Sequence, residues 1–114
     1  MLGICLGHQL MAYAYGGELS RGYSEFGGVR IYVDYEGTIL RGLPREFIAW
    51  ESHNISVIKP PRGFKVLAHS SKVPVEAMAN EDLGRFSVQF HPEVKHTEFG
   101  ITIMRNFLKL CSVR

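Results

Sequence analysis

Cys5 stands between two glycines in Gly3-Ile4-Cys5-Leu6-Gly7-His8-Gln9, and 86 positions further on comes His91-Pro92-Glu93. A cysteine that closes a short apolar strand and opens a helix is lifted out of the strand by a sharp turn. The free N–H groups of the helix then face its sulfur. A free thiol has a pKa of about 8.5, and a helix N-terminus and a histidine partner lower that value in reactive cysteines. His91 supplies a base, and Glu93, two residues on, supplies a group to aim its ring. Together the three side chains point to Cys-His-Glu nucleophilic chemistry, with Cys5 as nucleophile, His91 as general acid/base and Glu93 as orienter. The plainer roles are a small buried cysteine, a strand-end histidine and a surface acid.

The elements that must position these groups follow from periodicity and breakers. Leu2-Gly3-Ile4 reads as a buried strand at the very start of the chain, followed by a helix from about His8 to Tyr15 that Gly16-Gly17 stops. Segments 29–34, 46–51, 65–70, 75–79 and 86–90 have strand character, and Pro60-Pro61-Arg62-Gly63 is a turn. A last helix runs from about Thr97, its expected N-cap, to Cys111. Ile101, Met104, Phe107, Leu108 and Cys111 form its apolar face, which makes Cys111 a core residue. Strands mixed with helices imply an α/β sheet whose reactive groups lie at the carboxyl ends of the strands. Cys5 and His91 each follow such a strand, so both fall on the same edge of the sheet.

The whole chain, residues 1–114, reads as a single domain. Hydrophobic residues make up 46% and charged residues 21%, and the net charge of +2 comes from scattered basic residues. Neither a nucleic-acid footprint nor a membrane surface patch follows from that distribution. No apolar run approaches the roughly 20 residues that span a bilayer, and no leader is evident, so the expected location is cytoplasmic. Cys5 and Cys111 are not expected to pair in a reducing compartment. A metal site is not expected either. His8, His53, His91 and His96 lack Cys-x-x-Cys or i,i+4 His spacing, and His8 and His96 read as polar packing. Gly3 and Gly7 are explained by crowding of the backbone around the cysteine turn. Gln9, one turn into the helix, could hydrogen-bond a substrate amide or be an exposed polar residue. Trp50-Glu51-Ser52-His53 closes a strand with polar groups that could hold a zwitterionic ligand.

The elbow sequence, with Gln89-Phe90-His91-Pro92-Glu93, resembles the class I, triad-type glutamine amidotransferases over essentially all 114 residues. Ala12 to Glu18, Trp50 to His53, Val75-Glu76-Ala77-Met78, His96-Thr97-Glu98 and Arg105-Asn106-Phe107 narrow the likeness to glutaminase subunits of archaeal-type GMP synthases. The resemblance implies a flavodoxin-like α/β domain that hydrolyses glutamine to glutamate and ammonia. It also implies a separate ATP-dependent GMP synthetase partner that converts XMP to GMP, with ATP and magnesium on that partner and no cofactor on this chain. By the same likeness Gln9, Ser52 and His53 would hold glutamine, and the backbone N–H of Leu6 would serve the oxyanion.

Members of this family carry further strands, and an oxyanion-donating glycine-rich loop, ahead of the elbow. The sequence therefore reads as the C-terminal portion of the domain. A missing oxyanion donor typically costs about 10²–10³ in kcat, so weakened activity is expected. An uncovered sheet edge beside Leu2-Gly3-Ile4 invites self-association. Three other readings use the same residues. One is a glutaminase serving carbamoyl phosphate, anthranilate or CTP synthesis, another is a non-catalytic remnant that binds a synthetase, and the third is a cysteine protease or γ-glutamyl hydrolase.

Overall fold

The computed structural model describes residues 1–112. Ten elements follow in chain order: β1 (Leu2–Ile4), α1 (Leu6–Ala14), β2 (Glu18–Ser20), β3 (Glu25–Val33), β4 (Glu46–His53), β5 (Ser56–Lys59), β6 (Lys65–His69), β7 (Ala77–Asn80), β8 (Arg85–Val88) and α2 (Gly100–Ser112). Six strands form one sheet in the order β1-β8-β7-β6-β3-β4, and β2 pairs with β5 in a separate ribbon. Only β1 and β8 run parallel among the described strands, with Leu2, Gly3 and Ile4 opposite Phe86, Ser87 and Val88. That ladder brings the carboxyl ends of the two strands, which lead into Cys5 and His91, side by side.

Alternation along β7 divides the core in two. Ala77 and Ala79 face a cluster with Ile31, Phe47, Phe90 and Ile103, whereas Met78 faces Met11, Ala12, Val57, Phe64 and Val75. Successive residues of a strand point to opposite faces, so α1 and α2 lie on opposite sides of the sheet. Phe90 is fully buried and meets Phe47 edge-on at 5.6 Å between ring centroids, which anchors the chain just before His91. The α/β architecture expected from the sequence is therefore present, although the sheet is largely antiparallel.

Helix α1 ends as Gly16-Gly17 requires. Gly17 N donates to Ala12 O at 2.7 Å and Gly16 N to Tyr13 O at 3.2 Å, while Gly16 takes φ 92°. These are the two bonds of a Schellman cap, whose positive φ suits glycine. Two local expectations are corrected. Helix α2 begins at Gly100 rather than Thr97, because Thr97 Oγ1 already donates to His91 O at 2.6 Å and accepts from Trp50 N at 2.9 Å. The buried side of α2 carries Ile103, with Phe107 packed against the core, whereas Ile101, Leu108 and Cys111 are exposed. Asn106 turns the helix this way by donating to the carbonyls of Ile39 and Arg41, both at 2.9 Å, so a polar residue outside the expected apolar face ties α2 to the rest of the chain. The β2–β5 ribbon was not anticipated, since each strand is too short to show alternation.

Candidate active site

Cys5 is forced into its position by the backbone on both sides. Its N–H donates to Val88 O at 2.9 Å, holding it on β8, and its φ and ψ of 54° and −102° turn the chain from strand to helix within one residue. This region is normally glycine's, and a non-glycine residue there stores of order 1–3 kcal/mol of strain. Gly3 makes the turn possible, because a Cβ there would stand 2.7 Å from Gly7 O. Gly7 itself is not crowded: a Cβ on it would meet nothing within 4 Å, contrary to the expectation for that residue.

The sulfur is half-buried. It lies 3.7 Å from the Ser52 carbonyl, toward which the thiol donates, and accepts from Gln89 Nε2 at 3.7 Å. Burial and the Glu51 charge push the Cys5 thiol up, outweighing the Leu6 N–H and the Gln89 amide, which pull it down. The helix terminus therefore does not by itself produce a low-pKa thiolate here, contrary to the expectation from sequence.

β8 delivers His91 three residues past its end. The segment after it does not leave the sheet but runs along β4. His91 N donates to Trp50 O at 3.0 Å, and Glu98 N to Ile48 O at 2.8 Å, while Glu98 Oε1 accepts from Ile48 N at 2.9 Å. Thr97 closes this turn onto the His91 carbonyl, which gives it a positioning role that capping preferences could not have indicated. At Gly100 a Cβ would collide with the Pro92 carbonyl oxygen, so glycine is needed where the turn meets α2. His91 Nδ1 donates to Glu93 Oε2 at 2.9 Å, which leaves Nε2 as the proton-accepting nitrogen on a ring that is 25% exposed. No hydrogen bond joins His91 to Cys5 among the described residues.

Cys5, Leu6, Gln9, Ser52, His53, Asn54 and Ile55 line one open cavity of about 230 Å³. Of the residues expected to hold a ligand, Ser52 is exposed at its rim. Gln9 and His53 form its wall with their polar atoms already engaged. Gln9 Nε2 donates to Ile55 O at 2.7 Å and approaches Gln89 Oε1 at 3.4 Å. His53 Nε2 meets Glu25 Oε1 at 2.9 Å and Glu51 Oε1 at 3.3 Å, and Nδ1 lies 3.0 Å from Ile55 O. These carboxylates hold His53 up at about 9 despite its burial, so its ring is an imidazolium at neutral pH. Glu25 is drawn down to about 2 by His53, Glu76 and Ser70, whereas burial drives Glu51 up and Glu76 well up. Sequence spacing could not reveal this buried group, because its members meet only through strand register, with Glu25 opposite His53. His8, as expected, is packing: Nδ1 meets Ser87 Oγ at 2.7 Å and Nε2 meets Val75 O at 3.1 Å, and burial lowers it to about 4. His96 lies against Trp50 with ring centroids 4.9 Å apart.

Known proteins resemble this chain in sequence and fold. Residues 1–111 match the family model Glutamine amidotransferase class-I. The glutamine-hydrolysing GMP synthase subunit of Saccharolobus solfataricus is 55% identical over 97% of this chain, and that of Methanocaldococcus jannaschii is 50% identical over 100%. The matches cover 60% and 61% of those relatives, so the chain spans about three-fifths of their length. A crystal structure from Thermoplasma acidophilum, provisionally described as a protein of the same GMP synthase subunit type, superposes with a TM-score of 0.94 at 37% identity. The match covers 97% of this chain and 56% of that one. A glutamine amidotransferase from Thermotoga maritima, 23% identical with a TM-score of 0.75, shares the fold over 96% of this chain and 45% of its own. The chain belongs to the class I glutamine amidotransferases.

Proposed function

We propose that this chain is the nucleophile-bearing part of the glutaminase subunit of a GMP synthase. The observation that carries the reading is the parallel β1–β8 ladder, which sets the strained Cys5 turn beside the strand that delivers His91 and Glu93. In this reaction His91 Nε2 takes the thiol proton as Cys5 Sγ attacks the carboxamide carbon of glutamine. The C–N bond of the resulting adduct breaks, and the same proton leaves with ammonia. Water, activated by the imidazole, then hydrolyses the thioester to glutamate and restores the thiol. Glu93 fixes the tautomer and stabilises the imidazolium. The Leu6 N–H, next to the sulfur, supplies one oxyanion donor.

The ammonia goes to a separate ATP-dependent synthetase, which carries ATP and magnesium and converts XMP to GMP. The names of the relatives at 50–55% identity support this acceptor over carbamoyl phosphate, anthranilate or CTP synthesis. Among the described residues no helix is long and apolar enough to cross a membrane, and the reaction belongs in the cytoplasm. The raised Cys5 thiol and the open cavity support an enzyme that is weak by itself and gains its thiolate when the synthetase docks.

The test is labelling by a diazo-ketone analogue of glutamine, read by mass spectrometry on wild type and Cys5→Ser. Glutamine-protected labelling of Cys5 in preference to Cys111 is expected. Equal labelling of the two cysteines, or none at Cys5, would sink the proposal. Adding the synthetase with XMP, ATP and magnesium should then increase glutamate release; no increase would remove GMP synthesis as the acceptor pathway.

A further inference from the structure

Behind the cavity wall, Glu25, Glu51, His53 and Glu76 are all buried, and one ligand atom from each lies within 4.8 Å of the others. Glu25 is fully satisfied, since His53 donates to Oε1 and Ser70 Oγ donates to Oε2 at 2.7 Å. Glu51 and Glu76 are not. Both are 0% exposed, and of their four carboxylate oxygens, all sealed from solvent, only Glu51 Oε1 has a partner, the long 3.3 Å ion pair with His53 Nε2; Glu51 Oε2 and both Glu76 oxygens have none. Buried oxygens of this kind demand compensation. A proton shared between the two carboxyl groups would serve at most two of the four.

The orientation of His53 provides an independent indication. Its Nδ1 is tied to the Ile55 carbonyl at 3.0 Å, so Nε2 is presented to the carboxylates. A backbone carbonyl on the far nitrogen is the usual way a metal-binding imidazole is held in place. Nε2 lies 2.9 Å from Glu25 and 3.3 Å from Glu51, and neighbouring donors on a tetrahedral zinc ion stand about 3.3 Å apart.

We propose that these four residues form a binding site for a divalent zinc ion, with His53 Nε2 and one oxygen each of Glu25, Glu51 and Glu76 as ligands. Imidazole and carboxylate donors suit a first-row ion, and four protein ligands leave no open position, so the site is structural rather than catalytic. Loading replaces the proton on Nε2, giving His53 a neutral, ligating ring. The ion would join the first residue of β3, the end of β4 and the segment before β7. It would thereby fix Ser52, whose carbonyl meets the Cys5 sulfur, and Gln89, whose N–H donates to the Glu76 carbonyl at 2.7 Å. No step of the glutaminase reading uses the ion, so either proposal can fail without the other.

The experiment is titration of zinc into the chelator-stripped purified protein. One equivalent should bind and raise the melting temperature by about 10 °C at a hundredfold excess over Kd. Glu76→Gln should weaken binding at least about tenfold, whereas His96→Ala should leave it unchanged. Cobalt in place of zinc should give a spectrum without a thiolate charge-transfer band, which separates this site from Cys5 and Cys111. In the unsubstituted protein, nitrogen NMR should show His53 Nε2 losing its proton as zinc is added, a readout independent of whether the variant folds. Absence of binding, binding indifferent to Glu76→Gln, or a proton retained on Nε2 at saturating zinc would overturn the proposal.

Discussion

Two histidine–glutamate pairs in this molecule have the same contact distance and opposite characters. His53 meets Glu25 at 2.9 Å with both side chains almost sealed, at 2% and 3% exposure, and its second ring nitrogen is held by a backbone carbonyl. His91 meets Glu93 at 2.9 Å with 25% and 49% exposure, and its second ring nitrogen is uncommitted. The contact length therefore says nothing about role. A clamp needs every polar atom engaged and water excluded, because breaking one link then strands a buried charge. A base needs one nitrogen held and the other open to a reactant. Burial and access to the far nitrogen, rather than contact length, separate the two pairs.

The comparison breaks if the two histidines respond alike to truncation. His91→Ala should reduce glutamine turnover by about 10³-fold or more, with the melting temperature nearly unchanged, as measured by glutamate release and calorimetry. His53→Ala should instead cost about 3–5 kcal/mol of stability in denaturant titrations, through the uncompensated carboxylates it leaves. A His53→Ala protein of normal stability, or a His91→Ala protein that unfolds, would collapse the distinction.

His8 sharpens the same contrast by pH. The unfolded chain protonates this residue near pH 6.5, whereas the folded chain keeps it neutral down to about 4. The unfolded state therefore binds the proton first. Stability is complete above pH 6.5 and falls as the pH drops toward 4, by about 3 kcal/mol in all. Replacement by glutamine should flatten that part of the acid unfolding curve, whereas His91→Ala should leave it as it is. The two glycines beside Cys5 make the smallest test. Gly3→Ala should cost about 1–3 kcal/mol through its clash with Gly7 O, and Gly7→Ala should be neutral or stabilise by up to about 1 kcal/mol, both read from urea midpoints.

What was legible in the chain was local. The glycine-flanked cysteine, the Gly16-Gly17 stop and the strand leading into His91 each announce themselves within a few residues, and each is found where expected. What depends on register was not legible. Nothing in the sequence links Glu25 or Glu76 to His53; they meet because β3 and β4 align Glu25 with His53, and the hydrogen bond from Gln89 N to Glu76 O fixes the third segment. The periodicity of α2 also misled, because a helical wheel weights Ile101 and Leu108 as core and cannot see that the amide of Asn106 is claimed by two loop carbonyls. Thr97 was ambiguous for a similar reason. Its side chain suits a cap, but its partners lie on β4 and at His91 rather than on α2.

The left-handed backbone of Cys5 has a consequence for how such a chain drifts over generations. Glycine would sit there more comfortably than any residue with a side chain. Mutation toward glycine is thus favoured by folding and opposed only by the usefulness of the sulfur. A lineage released from selection for that sulfur would be expected to lose its cysteine to glycine early, before its core begins to erode.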